Sequence, residues 1–184
     1  MDGRFALNAP MAHTPDIAAS PTRLEPLELD AWRGLLRLHA ALIKELDAQL
    51  EREHGLGLSS YEVLLHLEAA PGRRLRMSDL AASVLLSRSG LTRLVDRLER
   101  DGLLERAQCA SDARGFFAVL TPKGRQVLRR AAPTHLAGVR DRFLSQFSED
   151  ELRQLVSFWE RILPTLPGAE PEVACSPGDD EPAA

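Results

Sequence analysis

The stretch that most constrains this 184-residue chain is Ser87–Leu104, SRSGLTRLVDRLERDGLL. It opens on Ser87, a good N-cap, and closes at Gly102, where a helix needs a residue that accepts a left-handed backbone. At about 100° per residue, Leu91, Leu94, Val95 and Leu98 fall on one side of a helix. Arg93, Arg97 and Arg100 fall on another, with Ser89 and Thr92 beside them near the start. One face suits burial. The other offers guanidinium forks, which match phosphate oxygens and the acceptor edge of guanine. The stretch therefore admits two readings: a DNA-reading helix, or a surface helix whose arginines pair with Asp96, Glu99 and Asp101.

Charge distribution bears on that choice. The whole chain is acidic, with 23 Lys+Arg against 27 Asp+Glu and a net charge of −4, which taken globally argues against a nucleic-acid partner. Between Arg73 and Arg130, however, thirteen basic residues face six acidic ones, a balance of +7, which leaves −11 for the rest. A basic module sits in an acidic frame. Aromatics are only 5% of the residues, so the core draws on Leu, Val and Ala, and Leu and Ala favour helix.

The flanking pattern is mostly helical. Residues 1–26 carry Pro10, Pro15, Pro21 and Pro26 with little periodicity and read as a flexible arm. From Asp30, a possible cap, Trp32, Leu35, Leu36, Ile43, Leu46 and Leu50 recur at threes and fours up to His54-Gly55. Leu38, Ala41 and Leu42 widen this surface beyond one stripe, so the helix needs more than one partner. Ser59 and Glu62 have capping-box spacing at the head of a short helix that Ala70-Pro71-Gly72 ends. Arg74–Arg76 reads as extended, Ser78–Val84 as a further short helix, and its separation from Ser87 by about three residues is helix-turn-helix spacing. The period then drops to two: Leu104–Gln108 and Phe116–Leu120 read as strands around a polar turn over 109–115. Such a ribbon after a reading helix is a wing, suited to the DNA backbone or the narrow minor groove. Thr121-Pro122 caps a helix running to about Phe147 with a kink expected at Pro133, and Ser148–Glu151 is a second capping box, opening a last helix that stops at Pro164. Residues 167–184 hold four prolines, five acidic residues and no basic one, and read as a disordered acidic tail.

The run LAASVLLSRSGLTRLVDRLERDGLLERAQCASDARGFFAVLTPKGRQVL closely resembles the MarR family of bacterial transcriptional regulators. The marks are LTRLVDRLERDGL, the Asp-x-Arg at Asp112 and Arg114, and LTPKG opening the next helix. The resemblance covers roughly residues 30–165. It implies a mainly α winged helix-turn-helix fold with a small β-wing, spanning residues 27–166. The DNA-binding core is expected at about 59–121, and dimerisation helices at about 30–54 and 122–165. It further implies a homodimeric repressor, cytoplasmic, bound to a palindromic double-stranded operator and released by a small phenolic or amphipathic effector.

Under that reading Ser87, Arg88, Ser89, Thr92 and Arg93 enter the groove, and Arg114 is the wing contact. Asp112 is expected to orient Arg114 or Arg93 rather than touch DNA. Arg73, Arg74, Arg76 and Lys123 are candidate phosphate contacts, with solubilising surface charge as the alternative. Arg97 and Arg100 are expected to pair with Asp101 or Asp96. Trp32, His39, Tyr61 and His66 lie on helices that line the effector cleft in relatives, with core packing as the alternative. The chain shows no nucleophile triad, phosphate loop or paired catalytic carboxylates, so it reads as no enzyme. No metal or cofactor is expected: neither His39, His54, His66 nor His135 has a His or Cys at i,i+4, and Cys109 and Cys175 are widely separated. Nor does any apolar run approach a membrane span.

Overall fold

The computed structural model describes residues 23–84, 88–109 and 112–165. Within these, the order is α1 (Pro26–His54), α2 (Leu58–Ala69), β1 (Arg74–Arg76), α3 (Met77–Ser83), α4 (Arg88–Arg100), β2 (Leu104–Cys109), β3 (Asp112–Leu120), α5 (Pro122–Arg142) and α6 (Glu149–Ile162). Contacts group the chain into two units, Met1–His39 and Ala40–Ala184, and α1 begins in one and ends in the other. In the first unit α1 starts at Pro26 rather than Asp30. Proline suits the first helical position, and the Glu28 carboxylate accepts from the Glu25 N–H at 2.8 Å. This part of α1 leaves Leu27, Trp32, Leu35, Leu36 and Leu38 exposed.

In the second unit α2 is the central piece. Leu58, Ser60, Tyr61, Val63, Leu64, His66 and Leu67 are all buried, more than one face of a helix. Its start differs from the sequence expectation. The N-cap is Gly57, with no side-chain cap bond, and Ser59 and Glu62 form no capping box there. Instead Asp47 of α1 reaches across and accepts the Leu58 N–H at 2.7 Å. A carboxylate from a neighbouring helix satisfies the orphan amide, so the local box has no role to fill.

The expected apolar side of α4 is its buried side: Leu91, Leu94, Val95 and Leu98 join the core with Leu80 of α3. α4 ends as the sequence suggests. Gly102 has φ +70°, its N–H bonds Glu99 O, and the Leu103 N–H reaches back to Leu98 O, a Schellman close. The sheet is antiparallel in the order β1-β3-β2. Both ribbon strands run further than the alternation showed, to Cys109 and from Asp112, with an irregularity between Gln108 and Cys109. The polar turn read over 109–115 is thus shorter, because ladder pairing overrides weak strand propensity in its flanks.

The N-cap bond of Thr121 to the Gly124 N–H and the complete box of Ser148 and Glu151 both match expectation. Bonds from the Ser148 backbone and hydroxyl hold the Glu151 carboxyl below its ordinary pKa. α5 continues through Pro133 and ends at Arg142, short of the expected Phe147, where Phe143 leaves the helical region and a 3₁₀ turn follows. α6 buries no residue.

Candidate nucleic-acid interface

The orientation of α4 is set by burial. With Leu91, Leu94, Val95 and Leu98 in the core, the opposite edge of α4 must face outward, and Ser89, Thr92 and Arg93 are exposed there. These three share the first half of one helix, so a hydroxyl, a second hydroxyl and a guanidinium stand within about one turn of each other. Ser87 lies outside the described residues. Arg88 is the first residue of α4, and Asp112 and Arg114 lie on β3, but the side chains of all three are outside the description.

The remaining basic candidates separate by their partners. Arg73 ion-pairs with Glu68 at 3.2 Å, and Glu68 also takes Arg125 at 2.7 Å. Arg74 and Arg76 place their guanidinium carbons 5.2 Å and 5.5 Å from the Phe117 ring centre, a cation–π pairing on one face of the sheet. All three stay exposed. Lys123 donates to the Asp101 carbonyl at 2.6 Å, just beyond the end of α4, so it serves at least as a cap for the reading helix.

Arg97 and Arg100 make bonds other than those expected, and only Arg97 ties α4 to another helix. Arg97 donates to the buried Ser60 hydroxyl at 2.7 Å, and Arg100 to the Asp96 backbone carbonyl at 3.2 Å. The Asp96 carboxylate has a different partner. Arg106 of β2 donates to Asp96 Oδ1 at 2.5 Å and to Glu99 Oε2, and its backbone N–H donates to Glu99 Oε1 at 3.1 Å. Burial alone would lower the Arg106 pKa, but the bonds and charges of Asp96 and Glu99 outweigh it and raise it further. Sequence reasoning passed over Arg106. The available signal was its place two residues after the core residue Leu104 on an alternating strand, opposite an acidic i,i+3 pair.

Of the candidate effector residues, Tyr61 and His66 are buried at 1% and 8% exposure, while Trp32 and His39 are exposed. Tyr61 packs on His135 of α5 with ring centres 4.6 Å apart. Among the described residues there is no group of three or more His, Cys, Asp or Glu that could hold a metal, and no helix long and apolar enough to cross a membrane.

Comparison with known proteins points the same way. The model of the MarR family matches residues 54–115. The uncharacterized HTH-type transcriptional regulator YkoM of Bacillus subtilis is 31% identical over 132 residues, 70% of this chain and 84% of that protein. The transcriptional repressor MprA of Escherichia coli K12 is 26% identical over 130 residues, 70% of this chain and 73% of that protein. Among solved structures, Sco3205, a MarR family transcriptional regulator from Streptomyces coelicolor in complex with DNA, superposes with a TM-score of 0.76 at 36% identity. The match covers 80% of this chain and 92% of that one.

Proposed function

Because the chain belongs to the MarR family of transcriptional regulators, winged-helix proteins and not enzymes, we propose that it is a homodimeric, cytoplasmic DNA-binding repressor. α4 of each subunit reads one half of a palindromic operator in the major groove, and the β2–β3 wing touches the flanking backbone or minor groove. One observation carries this reading: α4 buries one complete side and turns Ser89, Thr92 and Arg93 outward as a polar, cationic edge. The DNA-bound relative and the relative named a repressor support it. Arg88, the first residue of α4, and Arg114, on β3, are proposed as further DNA contacts. Ser87 and Asp112 are proposed as the helix cap and as the partner that orients Arg114. Arg73, Arg74, Arg76 and Lys123 add phosphate contacts. Release comes from a small phenolic or amphipathic effector, for which Trp32, His39, Tyr61 and His66 are each candidate contacts; Tyr61 and His66 are buried.

The test is binding to duplex DNA from upstream of its own gene, followed by fluorescence anisotropy against salt. Six or so phosphate contacts give a log–log slope of about −5. Arg114→Ala weakens binding on every sequence, while Arg93→Ala costs about tenfold or more on the operator and relaxes base preference. Half-sites fall one helical turn, about 10 bp, apart. Wild-type affinity that ignores salt, or variants that bind as wild type does, would instead favour a winged-helix module that holds a protein partner through its apolar helices.

A further inference from the structure

We propose that Arg106 is a positioning residue that clamps the wing to the reading helix, fixing the geometry between the two elements that meet DNA without touching DNA itself. The inference rests on the DNA-binding reading above. Arg106 pairs in register with Ala118, which is fully buried, so its side chain leaves the sheet on the core-facing side, towards α4. There one residue ties down two. Its guanidinium bonds both Asp96 and Glu99, and its backbone N–H bonds Glu99 again. The side chain is 24% exposed, and the carboxylates occupy its terminal nitrogens. Its charge is matched by two carboxylates rather than offered to a phosphate.

The position of the clamp gives it its effect. α4 and β2 are joined at Gly102, and Leu94, Val95 and Leu98 share one core with Leu104 and Ala118. Apolar packing of this kind is non-directional. The Arg106 bonds, to Asp96 and Glu99 in the C-terminal half of α4, add a directional tie between helix and strand. A planar fork suits this because its two terminal nitrogens face one carboxylate each, whereas a lysine ammonium gathers its donors on a single nitrogen. Preorganisation of this kind raises affinity only where both elements must engage together, that is, on a specific site.

The experiment uses the full chain and two duplexes: the tightest one that the wild-type protein selects from a randomised pool, and a shuffled duplex of equal length and composition. Arg106→Gln is expected to lose about tenfold on the selected duplex while holding within about twofold on the shuffled one, because a phosphate contact would weaken both alike. Asp96→Asn with Glu99→Gln removes the clamp from the other side, and in that background Arg106→Gln is expected to add nothing. Arg106→Lys, which preserves charge and is the milder change for folding, is expected to keep shuffled-duplex binding and lose part of the preference. Equal losses on both duplexes, or a full Arg106→Gln loss in the neutral background, would overturn the proposal and make Arg106 a DNA contact. A wild-type protein with no preference for any duplex would overturn the DNA-binding reading itself, a different outcome from either.

Discussion

At position 124 a single absent carbon decides whether the start of α5 can meet the end of α4. A Cβ on Gly124 would lie 1.9 Å from the Leu103 carbonyl oxygen and 2.8 Å from Leu120 Cδ1. The first is backbone and cannot swing aside. Around this contact the other residues of LTPKG each have a task. The Thr121 hydroxyl donates to the Gly102 or Leu103 carbonyl and accepts the Gly124 N–H, Pro122 starts α5, and Lys123 bonds the Asp101 carbonyl. The motif is a grip on the last turn of the reading helix. Gly124→Ala should therefore destabilise the chain by about 3 kcal/mol, in the upper range for overpacking, as read by urea unfolding. A loss below about 0.5 kcal/mol, the scale of an ordinary surface change, would mean that the two segments separate easily. The glycine was visible in the sequence as part of a family mark. The reason for it was not, because Leu103 meets it only after the ribbon has turned the chain back.

At the scale of elements, the same distinction separates what the sequence made legible from what it did not. The two sides of α4 could be read directly, since a 3.6-residue period depends on the helix alone, and Leu91, Leu94, Val95 and Leu98 are buried accordingly. So could the caps at Thr121 and Ser148, whose partners lie three residues away. The box at Ser59–Glu62 had equally good spacing and does not form, because Asp47 supplies the bond from eleven residues upstream. The pairings of Arg97 and Arg106 failed to show for a like reason: each crosses from one element to another, and the sequence gives no distance between them. The proposed DNA edge is thus legible at Ser89, Thr92 and Arg93, while the bonds that hold it in place emerge only from the packing. Asp47 gives a test of this difference. Asp47→Ala should cost about 1 kcal/mol, a typical capping loss, and Asp47→Asn less, because the amide oxygen can still accept. Ser59→Ala should cost almost nothing, all three variants being read by urea unfolding. A larger loss at Ser59 than at Asp47 would restore the local box.

For the whole molecule, the outstanding feature is a helix that buries none of its residues fully. α6 has fourteen residues, ends that are well capped, and no buried residue, while Val156, Phe158, Ile162 and Leu163 stand 44–53% exposed. A helix of this length is marginal in water on propensity alone, and an apolar stripe left open is a contact waiting for a surface. A second copy of the chain is the proposed cover, which also supplies the second reading helix that a palindromic site requires. Val156→Glu combined with Ile162→Glu alters only exposed positions, so within one subunit it should disturb little. Across a two-fold interface it places four carboxylates against apolar surface. Sedimentation should show wild type at twice the 20.3 kDa of the chain and the double variant at 20.3 kDa. Because a dimer engages its second half-site intramolecularly, operator affinity should fall by about a hundredfold or more with the dimer, while the core transition on heating persists. If the double variant keeps the wild-type mass, α6 lies outside the interface. A wild-type protein that sediments as a single chain at the concentration where it binds DNA would refute the dimer itself.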